Sequence, residues 1–157
     1  MKTRTVLLII VGLTFMMMET NAQTKLTYVN ENNVALGGYD VVNYFTEYVA
    51  IKGNTAHAAI HDGVTYYFTS AEHANMFKEN PDNYLPQYGG YCAFAMGMKN
   101  ATVPSNPETF KIVDGKLYVF FNDLYEGQKF NTIIPWNSDE NNLHKMADQN
   151  WAAMQSK

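Results

Sequence analysis

A single cysteine, Cys92, stands among the 157 residues, so no disulfide can form within the chain. A fold of this size must then be held by packing rather than by covalent staples. The one thiol is left as a buried small hydrophobe, a reactive group or a metal ligand. Positive charge is also scarce. Eleven Lys and Arg face 15 Asp and Glu, for a formal charge of −4. That balance argues against nucleic acid and anionic membrane as partners. There is no glycine-rich phosphate loop, no dinucleotide fingerprint and no serine nucleophile elbow. Past the N-terminal segment no apolar run is long enough to span a bilayer.

The N-terminus carries an export pattern. Lys2 and Arg4 precede an unbroken run of apolar and small residues from 6 to 18, and Thr20, Asn21 and Ala22 follow. This is the make-up of a secretory signal peptide cleaved after Ala22. An uncleaved anchor is the competing reading, but the run is short for a span. No cysteine adjoins the cleavage position, which excludes lipid attachment there. The mature chain is expected to begin at Gln23 and to work in the periplasm or outside the cell. Residues 1–22 take with them two cations and one anion, leaving 135 residues at a net charge of −5. That length suits one domain with one core. The expected division is a signal peptide over 1–22, an arm over 23–34, and a domain with a C-terminal helical extension over 35–157.

Local signals point to an α+β fold: a small single domain of short antiparallel β-hairpins packed on helices, with a C-terminal helix. A short strand is expected at residues 26–29. Residues 41–45 suit a short strand or a turn of helix. Asp62-Gly63 and Asp114-Gly115 each lie between strand-like runs and predict two hairpins. They are too short to establish an internal repeat. Ser70 is a natural N-cap for a helix over 70–79, stopped by Pro81. Residues 81–91 read as a loop, and residues 91–98 as a buried helix or strand that periodicity does not separate. Residues 106–110 read as a turn and 122–128 as a helical turn. Leu143, Met146, Ala147 and Trp151 recur at helical spacing and predict a helix over 139–155.

Five segments in order then carry a family resemblance. They are Gly38-Tyr-Asp-Val-Val-Asn-Tyr-Phe45, Gly63-Val-Thr-Tyr-Tyr-Phe-Thr-Ser70, the set His73, Phe77, Pro81 and Tyr84, Pro86-Gln-Tyr-Gly-Gly-Tyr-Cys-Ala93, and Val113-Asp-Gly-Lys-Leu-Tyr118. From about residue 35 to 118 the chain resembles the exported YHS-domain family. The resemblance implies a small α+β unit related to metal-binding modules of the treble-clef type. Metal-binding members of that group carry cysteines where this chain has Thr69 and His73, and another near Asn43. Of those positions only His73 keeps a side chain that binds soft or borderline metals.

Cys92, His73 and Asp40 are therefore the candidate metal residues, with copper or zinc as the candidate cofactor. A thiol, an imidazole and the thioethers of Met96 and Met98 would suit copper. A closed zinc site wants four ligands, and no two of Cys92, His57, His61, His73 and His144 have knuckle spacing. Each candidate also has a plain reading. Cys92 would be core packing beneath Gly89-Gly90, His73 a first-turn helix residue, Asp40 a turn or cap residue, and the 11 tyrosines amphipathic core rings. Catalysis has little support, because Cys92 could gain a base only if the fold brought His73 to it. The expected function is an exported metal-binding module rather than an enzyme. A protein-interaction domain that has lost its metal site is the alternative, and a thiol redox protein is less favoured. The expected partner is a metal ion or another protein.

Overall fold

The computed structural model describes residues 26–156. Residues 1–22, expected to be a signal peptide, and the first residues of the expected arm lie outside the described residues. The architecture is α+β, with three separate two-stranded antiparallel sheets and short helices.

The order starts with a 3-10 turn at Leu36–Gly38 and helix α1, Asn43–Thr46. Strands β1, Asn54–His61, and β2, Val64–Phe68, form the first hairpin. Helix α2, Ala71–Glu79, is capped by Ser70, whose Oγ accepts from His73 N at 3.1 Å, as its sequence signature predicts. Two further 3-10 turns lead to α3, Ala93–Lys99, which resolves the ambiguity of residues 91–98 in favour of helix. Strands β3, Asn106–Val113, and β4, Lys116–Phe120, form the second hairpin. Both Asp-Gly turns have positive φ at each central residue, 49° and 77° in the first, 49° and 71° in the second. This backbone matches the twist of the flanking strands.

Three expectations need correction. The strand at 26–29 reduces to one bridge between Val29 and Ala35. Residues 106–110 belong to β3, and Pro107 falls where the register slips between Asn106 and Phe110, so its missing N–H costs no ladder bond. Residues 122–128 are not helical. They enter a third hairpin of β5, Asn122–Tyr125, and β6, Gln128–Asn131, turned by Glu126-Gly127 at φ 52° and 79°. The helix expected over 139–155 is present as α5, Glu140–Gln155, and a separate short helix that the sequence did not signal, α4, Ile133–Ser138, precedes it.

The hairpins alone do not establish a repeat, but the backbone does. Residues 34–68 and 86–120 follow the same path at an offset of 52. Positive φ recurs at Leu36, Gly37 and Gly38 (46°, 59°, 84°) and at Tyr88, Gly89 and Gly90 (53°, 61°, 82°), and again at Tyr48 and Asn100. Asp40 N donates to Ile51 O at 2.9 Å, and Cys92 N donates to Val103 O at 2.9 Å. The parallel bridge Val34 to Thr65 recurs as Pro86 to Leu117. Asn54 Oδ1 accepts from Ala56 N, and Asn106 Oδ1 accepts from Glu108 N. Gly37-Gly38-Tyr39, Asn54, Ile60, Asp62-Gly63, Tyr66 and Phe68 return as Gly89-Gly90-Tyr91, Asn106, Ile112, Asp114-Gly115, Tyr118 and Phe120. The domain is thus two copies of one unit.

The two units have two adjoining cores. The first gathers Leu36, Val41, Tyr44, Tyr66, Phe68 and Phe77. The second gathers Tyr88, Cys92, Met96, Tyr118, Phe120 and Trp136. Strand alternation lets β4 serve both: Leu117 and Val119 join the first core, Tyr118 and Phe120 the second. Helix α5 closes the second core with buried Leu143 and Ala147, while Trp151 is half-buried and Met146 exposed.

Candidate functional site

The repeat makes Asp40 and Cys92 equivalent, each the residue after Gly-Gly-Tyr and each fully buried. Their surroundings differ. Asp40 Oδ1 accepts from Val42 N at 2.9 Å and Asn43 N at 3.3 Å. Its Oδ2 accepts from Thr69 N at 2.7 Å and Thr69 Oγ1 at 2.8 Å, and meets His73 Nδ1 at 2.8 Å. Five donors thus converge on one carboxylate, which ties the start of α1 to the junction of β2 and α2. A proton on Nδ1 facing that carboxylate fixes the ring and its tautomer.

In the second unit Thr132 takes the place of Thr69, and Trp136, four residues on, takes that of His73. Cys92 Sγ lies 3.3 Å from Thr132 Oγ1. The Thr132 hydroxyl donates to Phe121 O at 2.9 Å, so its one proton is committed and the thiol is the donor to it. The third hairpin is inserted between Phe121 and Thr132, and Thr132 N closes its base by donating to Phe121 O at 2.9 Å. The first unit runs from Phe68 straight into Thr69 and has no such insertion.

Beneath the inserted hairpin lies a cavity of about 100 Å³. Cys92 and Thr132 form its floor, and Phe94, Val103, Phe121 and Phe130 its walls. Almost all of its surface is carbon. It adjoins an outer groove of about 500 Å³ that shares Phe94, Lys99, Tyr125 and Phe130 with it and adds Met98 and Lys129. The rim exposes large apolar side chains: Met98 is 54% exposed, Tyr125 51% and Phe130 40%.

Of the three candidate metal residues, the structure brings Asp40 and His73 together and places Cys92 in the other core. His57 is half-buried on β1, His61 meets Asp62 at 3.4 Å, and His144 Nε2 meets Tyr118 Oη at 2.8 Å. Met96 is buried in the second core and Met98 is exposed. Among the described residues there is no group of three or more His, Cys, Asp or Glu able to hold a metal ion. The donors Asp40, His73 and Cys92 therefore do not fit a shared copper or zinc centre.

The sequence reading missed Thr132, Phe121 and the third hairpin. The available signal was the spacing of four from Thr69 to His73, repeated from Thr132 to Trp136. The tyrosines are largely amphipathic core rings. Burial pushes the hydroxyls of Tyr66 and Tyr118 up to about 12, and pushes Tyr44 and Tyr88 higher still. Among the described residues no helix is long and apolar enough to cross a membrane. Comparison of the chain with protein-family models, with curated proteins and with solved structures gives no match.

Proposed function

We propose that this protein is an exported, YHS-like binding module that takes a small organic ligand in the cleft under the third hairpin and is not an enzyme. One observation carries the reading. The two units have equivalent centres, and only the second, at Cys92, has an apolar cavity with an added hairpin over it. In the first unit the same place is filled by the hydrogen bonds of Asp40, Thr69 and His73, which serve as a structural tie. Cavity and groove together fall in the size class of ligand pockets, and an apolar lining with a few polar groups is their usual make-up.

The test uses the purified protein and a fluorescent apolar probe, anilinonaphthalene sulfonate. Saturable one-to-one binding is expected; Cys92 is fully buried, so N-ethylmaleimide reaches its thiol only as the cleft opens, and that alkylation should slow when the probe is bound. A variant in which residues 122–131 are deleted, so that Phe121 runs into Thr132 much as Phe68 runs into Thr69, is expected to fold and to lose the probe. Binding that survives the deletion with Cys92 unprotected would place the ligand elsewhere and end the proposal.

A further inference from the structure

We infer that the ligand of this cleft is an amphipathic anion of the medium-chain carboxylate class, its chain lying under the hairpin and its head group held at the rim by Lys99 and Lys129; the inference rests on the cleft being the ligand site.

The charge pattern at the rim supports this. The chain is acidic overall, yet the groove carries two lysines and one glutamate, Lys99, Lys129 and Glu126. Neither ammonium forms an ion pair with a described residue, whereas Lys111, the lysine that does, meets Glu140 at 2.7 Å. Lys99 Nζ lies 5.8 Å above the ring of Tyr125, a wall shared by cavity and groove. Lys99 also ends α3, where a cation suits the negative pole of the helix. Lys129 has no such role. It sits on β6 opposite Leu124, next to Phe130.

Size narrows the class. The inner cavity, about 100 Å³, is smaller than the roughly 150 Å³ apolar cavity that admits benzene. A branched or polycyclic body would stop in the groove and cover the cavity mouth, but the end of an unbranched chain would enter the cavity. The rest of the chain would lie in the groove against Phe94, Met98 and Phe130, and each methylene removed from water adds about 0.8 kcal/mol. The two polar side chains of the floor, Cys92 and Thr132, already spend their protons on each other and on Phe121 O, so a carboxylate finds no free donor there and the charged end must face the rim.

Octanoate, 1-octanol and octylammonium differ in the head group and separate the claims. Titration by calorimetry, with Cys92 alkylation as a second readout, is expected to rank octanoate first, octanol next and octylammonium last. Replacing both lysines, Lys99→Gln with Lys129→Gln, is expected to weaken octanoate roughly fivefold, as two exposed ion pairs would, and to leave octanol unchanged. Both side chains are exposed and neither forms an ion pair with a described residue, so the double variant should fold as the parent does. Equal binding of octanoate and octanol would overturn the head-group assignment while leaving the cleft as the ligand site. Failure of all three to bind or to protect Cys92, with anilinonaphthalene sulfonate still bound there, would overturn the chain-like ligand alone. Failure of every probe would overturn the site itself.

Discussion

At Gly97, α3 runs directly against the backbone of α5. A Cβ built there would lie 2.6 Å from Leu143 O and 3.3 Å from Leu143 C, both backbone atoms of α5. Two effects oppose each other in Gly97→Ala. Alanine in a helix interior is favoured over glycine by about 1 kcal/mol. Against this, a contact at 2.6 Å must open by several tenths of an ångström. A backbone carbonyl cannot swing aside as a flexible side chain can, so α5 as a whole must move. That movement loosens Leu143 and Ala147, both buried against the second core. Overpacking of this kind costs about 3 kcal/mol at the upper end of its usual range. The clash should therefore win by about 2 kcal/mol, lowering the thermal midpoint by about 7 °C in a domain of this size. Scanning calorimetry of Gly97→Ala beside Met98→Ala, an exposed neighbour on the same helix, measures the difference. A midpoint that holds steady or rises would mean that the two helices are not in backbone contact and that the packing described for α5 is wrong.

Replacing Asp40 by Asn keeps its shape but turns an amide NH₂ toward donors, so Asp40→Asn should cost about 3 kcal/mol in urea unfolding, well above Thr69→Val; a cost under about 1 kcal/mol would remove its structural role. Alkali should destabilise the fold through the tyrosines. The folded hydroxyls of Tyr66 and Tyr118 titrate at about 12, against 10 when exposed, so the unfolded chain loses its protons first and stability falls as pH rises from 10 toward 12. Melting curves across that window should flatten in Tyr66→Phe, and a profile unchanged by it would contradict the assignment. On the acid side, the hydrogen bond from Lys111 holds the Glu140 carboxyl below its usual range. Its contribution is present above pH 4.5 and is lost as pH falls through the lowered value. Lys111→Gln should therefore cost less than about 1 kcal/mol at neutral pH, and progressively less as pH falls below 4.5.

The hairpins at Asp62-Gly63 and Asp114-Gly115 and the helix capped by Ser70 were legible because short-range chemistry decides them. The third hairpin was not, because Glu126 at positive φ is an unusual turn residue and its flanks are only four residues each. The repeat left a thin trace: Gly37 stands 25 residues before Asp62, and Gly89 stands 25 before Asp114. Between them only Gly38, Tyr39, Asn54 and Ile60 return unchanged; the other positions have new side chains on the same backbone path, and no single-sequence pattern reads backbone directly. The burial of Cys92 was one of the weighed alternatives, and the cap role of Asp40 another. Their separation into two cores depends on which copy each belongs to, information that spacing along the chain does not hold.

The alternating burial of β4 binds the fates of the two copies together. A strand with one face in each core is a party wall, and neither room stands without it. Cleaving the chain between the copies should then yield two pieces that reassemble rather than two modules that fold apart. Side chains at 117 to 120 answer to two sets of neighbours at once, so the ligand side of the molecule can be remodelled freely around β5 and β6 but hardly at all in the strand next to them.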